Sequence, residues 1–387
     1  EITTRLVGSE MCIRDRRYMK ILLLGGTGTL SSEVLKCSIL HRYSVSILNR
    51  GKNNVNVDKE VSVYISDLRF PKTVDAVLSK ETFDVIVDFY SRTKENISSL
   101  FPILSKRCTQ YIFISSACVY CHNNEATEAL TEKCGKPNKL WNYSIKKYEA
   151  EQQLIEMSKR CDCYYTIVRP YITYNNERIP WGIAPAYRFH RTIIERIKSG
   201  KPMFVWNGGT NYCTLTYSED FAKALVGLFL NPKATNEDFH ITSDYCYQWK
   251  DVLFTIYEEL KIKPNFVDLP TSLIIKYLPE YKNELIGDRS LNAIFNNQKI
   301  KEAVPEVCFQ TSLNEGIRRV IAYYETLSTF NYDFRYDARI DRMLSKCGEK
   351  GLHFIPYTNS TIHAKKTYLI YRYLPLRMAN KLNEYIS

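Results

Sequence analysis

Three side chains of this 387-residue chain have the types and spacing for proton transfer at a carbon–oxygen bond: Ser116, Tyr143 and Lys147. Tyr143 and Lys147 lie four residues apart in Leu140-Trp-Asn-Tyr-Ser-Ile-Lys-Lys-Tyr-Glu-Ala-Glu-Gln-Gln-Leu154, a stretch free of Gly and Pro. In a helix that spacing puts both on one face. A phenol titrates near pH 10, too high for a ready base at neutral pH. An ammonium beside it stabilises the phenolate and is expected to lower that value. Such pairs are also ordinary on solvated helices, and with 29 tyrosines in the chain this one decides little alone. Ser116 follows the apolar run Gln110 to Ser115, which reads as a strand. A hydroxyl at the carboxyl edge of a parallel sheet stands where such folds take ligands, and it can polarise a substrate oxygen. The bland alternative is a serine satisfying strand-end backbone.

These groups need a scaffold, and its start is Met19-Lys-Ile-Leu-Leu-Leu-Gly-Gly-Thr-Gly-Thr-Leu-Ser-Ser-Glu33. The unbroken apolar run Ile21–Leu24 reads as a buried parallel strand. Gly25, Gly26 and Gly28 then turn the chain into a helix opening at Thr29. Bare backbone and the unpaired N–H groups of a helix start favour a phosphate, so this is a dinucleotide-binding turn. Gly25, Thr27, Gly28, Thr29 and Leu30 are its expected contacts, and Ser31 replaces the usual third glycine. A second strand, Ser44 to Leu48, ends at Asn49-Arg50-Gly51. There an acid would hold a free ribose 2′-hydroxyl, whereas Arg50 can hold a 2′-phosphate, so NADP is favoured over NAD. Beyond a third strand, Val61 to Ile65, Asp67 and Leu68 are expected at the adenine; Asp67 could instead cap the helix after Pro71.

Further strands at 83–88, 110–115 and 163–169 alternate with helical stretches. That pattern predicts a doubly wound parallel α/β sheet of Rossmann type over residues 19–178. From Ile179 it loosens into a smaller mixed α/β substrate region, 179–330, parts of which return to the sheet. Its expected elements are helices near 188–199, 218–230 (with Ser218 as N-cap), 249–260 and 313–325, and a short strand at 239–242. Residues 331–387 carry ten Lys/Arg against five Asp/Glu and many tyrosines; this basic extension, with a short amphipathic helix near its end, is expected to pack on the parent domain.

The net charge of +11 favours an anionic substrate or cofactor. The charge is spread without a dense basic block, so nucleic acid is not expected as a partner. No secretory start and no bilayer-length apolar run accompany the twelve cysteines, which predicts a cytoplasmic protein with reduced thiols and no transmembrane segment. Cys118, Cys121, His122 and Cys134 form a loose cluster without a second C-x-x-C, so no metal is expected. Residues 1–18 read as a non-native, adaptor-like leader, and Met19 as the native start.

Glycine turn, strand-end Ser115-Ser116, Tyr143-x-x-x-Lys147 and then Val168-Arg-Pro170, in that order, resemble the extended short-chain dehydrogenase/reductases, in particular the NAD-dependent epimerase/dehydratase branch, over about residues 19–330. The resemblance implies Ser116, Tyr143 and Lys147 as a catalytic triad, with Lys147 also holding the nicotinamide ribose. It implies an NAD(P)-dependent epimerase or reductase acting on a nucleotide sugar; Glu151 fits the family helix, and Gly208-Gly-Thr210 with Ser218-Glu-Asp220 fits the substrate side. Ser31, Asn49-Arg50 and Asp88-Phe-Tyr90 depart from the family pattern. Ala117-Cys118 stands where dehydratases place an acid pair, which disfavours dehydration. The alternatives are a reductase of a small carbonyl metabolite and a non-catalytic cofactor-sensing or RNA-binding protein. The oligomeric state, a homodimer included, stays open.

Overall fold

The computed structural model describes residues 19–52, 58–122, 128–357 and 362–386; the adaptor-like leader lies outside them. Strand β1 (Lys20–Leu24) buries every residue after the first, because helices cover both faces of its sheet. Its side chains alternate. Ile21 and Leu23 join the core beneath α1 (Thr29–Leu40), while Leu22 and Leu24 join the core on the opposite face. The chain continues through β2 (Ser44–Asn49), β3 (Ser62–Ile65), α2 (Pro71–Val77), β4 (Phe83–Asp88), α3 (Lys94–Leu104), β5 (Cys108–Ile114), α4 (Asn142–Ser158) and β6 (Tyr164–Pro170). After β7 (Thr173–Tyr174) and α5 (Arg191–Lys198) come β8 (Met203–Trp206), β9 (Tyr212–Thr214), β10 (Thr216–Tyr217), α6 (Ser218–Val226) and β11 (Glu237–Ile241).

The main sheet has seven parallel strands in the order β11-β6-β5-β4-β1-β2-β3. The strand order reverses at β1, between β2 and β4, and a crevice opens at the carboxyl ends of such strands. This is the expected doubly wound α/β fold, and β11 returns from the later region to its edge. Ser218 is the first residue of α6 rather than its N-cap, which is Tyr217; the Ser218 hydroxyl is buried without a partner.

A second core gathers Trp181, Trp206 and Trp249 with rings in mutual contact. Around it lie β12 (Cys246–Gln248), paired with β9, and β13 (Phe266–Leu269), paired with β8, together with α7 (Trp249–Glu259), α8 (Thr271–Tyr277), α9 (Gln298–Ala303) and α10 (Leu313–Thr326). The indole N–H groups of Trp206 and Trp249 both donate to the Arg289 carbonyl, at 2.9 and 3.1 Å. That bond anchors the π-helical turn Leu285–Arg289.

The basic extension forms α11 (Phe334–Ser345), α12 (Ile362–Tyr373) and α13 (Leu376–Ile386). A buried charge cluster docks it: Arg196 and Lys201 face Asp337 and Asp341, with Arg196–Asp341 at 2.6 Å and Lys201 2.7 Å from each carboxylate. Tyr368 donates its hydroxyl to Asp341. Among the described residues no helix is long and apolar enough to cross a membrane.

Removing one partner of such a cluster strands its counter-charges in the interior. Arg196→Met is expected to lower stability by about 3–5 kcal/mol in urea titration and to expose the extension to limited proteolysis; a loss below about 1 kcal/mol, the range of a surface pair, contradicts the docking role.

Candidate active site

At the glycine turn Gly25 and Gly26 take φ of +114° and +90°. A Cβ on Gly26 would meet Ile47 Cγ2 at 2.5 Å, so only glycine brings the turn this close to β2. Ser31 is buried, and its hydroxyl accepts the Gly28 N–H at 2.9 Å. The serine thus keeps the packing of the missing glycine but occupies one donor. Beside the turn opens a cavity of about 540 Å³, lined among others by Gly25, Thr27, Gly28, Arg50, Asp67 and Leu68. Asn49 also lines it as a strut, donating to the Gly25 carbonyl at 3.3 Å and accepting the Gly51 N–H at 2.7 Å.

Thr29 and Leu30 lie outside that lining. Leu30 packs on the core, and Thr29 lies near enough to Tyr187 to act on its phenol. Asp67 caps no helix; Phe70 is the N-cap of α2. Asp67 instead pairs with Arg69, which pulls its carboxyl down to about 2. Lys52, Arg69 and Arg92 line the cavity without having been singled out from the sequence; Lys52, a second cation just past Arg50, carried a readable signal. Asp88 shapes the departing loop, accepting the Tyr111 hydroxyl and the N–H groups of Tyr90 and Ser91. A phosphate-approachable backbone, a crevice at the strand reversal and cations around it fit a dinucleotide.

Ser116, Tyr143 and Lys147 converge at the carboxyl end of β5. Ser116 caps a short turn, accepting the Cys118 N–H at 3.4 Å, and its hydroxyl lies near enough to that of Tyr143 to act on the phenol's titration. Lys147 is buried and donates to the carbonyls of Ser91 and Ile114, both at 2.8 Å. One turn further along α4, Glu151 accepts a bidentate pair of bonds from Arg169 of β6, each 2.8 Å, and the Ser115 hydroxyl at 2.5 Å. The helix bearing Tyr143 and Lys147 is thereby held to the strand ends it serves.

The electrostatics correct one expectation. Burial pushes the Tyr143 phenol up to about 12, Cys118 adds to the rise, and Arg92 and the Ser116 hydroxyl oppose it, with Lys147 outside these largest influences. The ammonium faces two carbonyls instead, and burial pulls Lys147 down to about 8. Cys118 lies close to both groups, and burial pushes its thiol up to about 12, so it is neutral at physiological pH. The cysteine–histidine cluster disperses: Cys121 bonds the Pro137 carbonyl, Cys134 bonds Thr131, and His122 lies 3.9 Å from Asp288. Among the described residues no group of three or more His, Cys, Asp or Glu is arranged to hold a metal ion.

A lysine whose folded-state pKa lies below its unfolded value holds fewer protons when folded between those two values, so its contribution to stability rises with pH there. For Lys147 the window runs from about 8 to the ordinary lysine value of 10.5. Wild type is therefore expected to gain stability relative to Lys147→Met between pH 7 and 9.5 in urea titrations; a pH-independent difference contradicts the buried, strained ammonium.

Comparison with known proteins bears on the same elements. Residues 21–242 match the NAD dependent epimerase/dehydratase family. The chain is 26% identical over 238 residues to the chloroplast stem-loop binding protein of 41 kDa b of Arabidopsis thaliana, covering 58% of this chain and 59% of that protein's length. Its fold is similar to that of dTDP-glucose 4,6-dehydratase from Bacillus anthracis in complex with NAD: 16% identity, TM-score 0.64, 80% of this chain and 97% of that one. The UDP-glucuronic acid 4-epimerase from Bacillus cereus in complex with NAD is alike at 16% identity, TM-score 0.61, covering 80% and 100%. A glycine turn against β2, a hydroxyl pair at the end of β5 and a match that spans both make the chain a member of the NAD-dependent epimerase/dehydratase family.

Proposed function

We propose that the chain is an NAD(P)-dependent epimerase or oxidoreductase of a nucleotide-linked sugar, with Tyr143 as proton-transfer group. The observation that carries this reading is the nearness of the Ser116 and Tyr143 hydroxyls, with Lys147 one helical turn away and bonded to Ser91, the neighbour of the cavity-lining Arg92. A bound nicotinamide dinucleotide supplies reversible hydride transfer. The Gly25–Gly28 backbone would hold its phosphates, and Asp67 and Leu68 its adenine end. Arg50 and Lys52, in a cavity whose one acid among the described lining residues, Asp67, is paired with Arg69, favour a 2′-phosphate and hence NADP.

Tyr143 takes the proton of a substrate hydroxyl or returns it, while Ser116 hydrogen-bonds the same oxygen and fixes its position. An ammonium has three donors. Two of those on Lys147 go to carbonyls, leaving one for a ribose hydroxyl. Dehydration needs a further acid to expel hydroxide; the Ala117-Cys118 pair offers a methyl group and a thiol held neutral, so epimerisation or ketone reduction fits better. No disulfide joins the eleven cysteines of the described residues, which suits a reducing compartment such as the cytoplasm.

Tyr143→Phe is expected to cut turnover on a panel of UDP-, dTDP- and GDP-sugars by about 10²–10⁴-fold while leaving NADP affinity nearly unchanged. Retained turnover would remove Tyr143 from the chemistry.

A second reading, binding of a structured RNA, is favoured by the likeness to the stem-loop binding protein and by the net charge of +11. It predicts retention of an RNA stem-loop on the full chain with a steep loss of affinity between low and physiological salt; salt-insensitive or absent retention contradicts it.

A further inference from the structure

A second cavity, of about 490 Å³, shares no lining residue with the dinucleotide cavity and is lined by none of Ser116, Tyr143 and Lys147. Arg188 and Phe189 form one wall; the segment 329–335 that leads into α11, Tyr357 and the first turns of α12 form the others. Apart from Arg188 and Phe189, these walls lie beyond residues 21–242, the part of the chain that matches the family. The volume falls within the range of small-molecule sites.

The walls are aromatic and held in place. Tyr332 and Tyr357 stack with ring centroids 4.1 Å apart, and Phe334 packs against Tyr332 at 4.7 Å. The Tyr357 hydroxyl donates to the Glu195 carbonyl at 3.1 Å, and the Asp333 N–H to the Thr192 hydroxyl at 2.9 Å, so both segments are tied to α5. Arg191 covers one face of Phe330 at 3.9 Å and donates to the Tyr324 carbonyl at 2.7 Å. Rings fixed in this way suit a flat, conjugated ligand.

The polar groups call for an anion and a hydrogen bond. Arg188 and Arg335 both line the cavity, and among the described residues neither has a carboxylate partner; Arg188 lies 4.8 Å over the Phe189 ring and Arg335 6.0 Å over that of Tyr371. Asp333, the one carboxylate among the described lining residues, is engaged as the N-cap of α11, accepting the N–H groups of Arg335 and Tyr336. Thr367 lines the cavity and is 7% exposed, and its hydroxyl has no hydrogen-bond partner among the described residues. A buried hydroxyl left this way costs free energy that a hydrogen-bonding ligand recovers.

We propose that this cavity binds a nucleoside phosphate, its base against the rings of Tyr332, Phe334 and Tyr357 and its phosphate on Arg188 and Arg335. Stacking tolerates any base, whereas the guanidinium forks select the phosphate. A ligand of rings alone leaves the two cations unneutralised, and a bare phosphate leaves the rings and the Thr367 hydroxyl unused. The same chemistry comes from a free mononucleotide or from one nucleotide of an RNA strand. The site stands whatever the cleft turns over.

The test is calorimetric titration of the full chain, in saturating NADP, with AMP, UMP, adenosine, inorganic phosphate and a short single-stranded oligoadenylate, on wild type, Arg188→Met, Arg335→Met and Thr367→Val. Both arginines are exposed, so their replacement leaves the fold intact. Wild type is expected to bind AMP or UMP more tightly than adenosine or phosphate. Each arginine variant should weaken that binding by about 10–100-fold, the loss for a hydrogen bond to a charged group, with NADP affinity unchanged. Thr367→Val should also bind less tightly while matching or exceeding wild type in urea titration, a combination that a purely structural hydroxyl does not give. Tighter binding of oligoadenylate than of AMP, with the same dependence on Arg335, assigns the nucleotide to an RNA strand; the reverse order assigns it to a free mononucleotide. Wild type that binds neither the mononucleotides nor oligoadenylate, phosphate bound as tightly as AMP, or nucleotide binding unmoved by both arginine variants overturns the site.

Discussion

The buried pair between Glu151 and Arg169 is the contact on which the site depends. Both side chains are almost fully enclosed, and two parallel 2.8 Å bonds join them. Arg169 sits on β6, Glu151 on α4, and Ser115 at the end of β5 donates to the same carboxylate. Tyr143, Lys147 and Glu151 recur every four residues, so they share one face of α4. Fixing the carboxylate fixes the ammonium and the phenol above it. Arg169 further reaches Asp238 on the edge strand β11 and the Tyr120 hydroxyl, which ties the edge of the sheet to the turn after Ser116. A buried pair of this kind adds little to stability over an apolar replacement. Its value here is geometric.

Around that clamp the sheet sets two boundaries. On the cofactor side, Gly26 lets the turn after β1 approach β2 within a van der Waals limit that any side chain would breach. On the substrate side, the π-turn Leu285–Arg289, anchored by two indole N–H groups, brings Asp288 and Arg289 within electrostatic reach of Cys118. Regions far apart in sequence thus meet over one tyrosine. The extension from 331 onward serves a different end: its aspartates neutralise Arg196 and Lys201, so much of its apparent basic surplus faces the surface.

The fold was legible in the sequence because buried parallel strands are written as short apolar runs, and Ile21–Leu24, Val85–Val87 and Tyr111–Ile114 are such runs. The Ser116–Tyr143–Lys147 set was legible through spacing and order. What escaped is long-range. Nothing local distinguishes Arg92 or the segment 282–289, whose places depend on loops crossing from other elements. Asp67 as a helix cap was a local reading that the Phe70 N-cap and the pairing with Arg69 override. The Tyr143 phenol rises because burial outweighs its cationic neighbours, a balance that i,i+4 spacing cannot convey. Ser218 looked like a cap, yet the strand before it continues one residue too far to leave it outside the helix.

The account turns on a dinucleotide lying with its phosphates at Gly25–Gly28 and its nicotinamide end at Lys147 and Tyr143. A crystal structure of the full chain with NADP tests this most directly. The predicted result is one dinucleotide in the 540 Å³ cavity, a ribose hydroxyl within hydrogen-bond distance of Lys147 Nζ, and the 2′-phosphate beside Arg50 and Lys52. A dinucleotide bound elsewhere, or with its nicotinamide directed away from Tyr143, would contradict it.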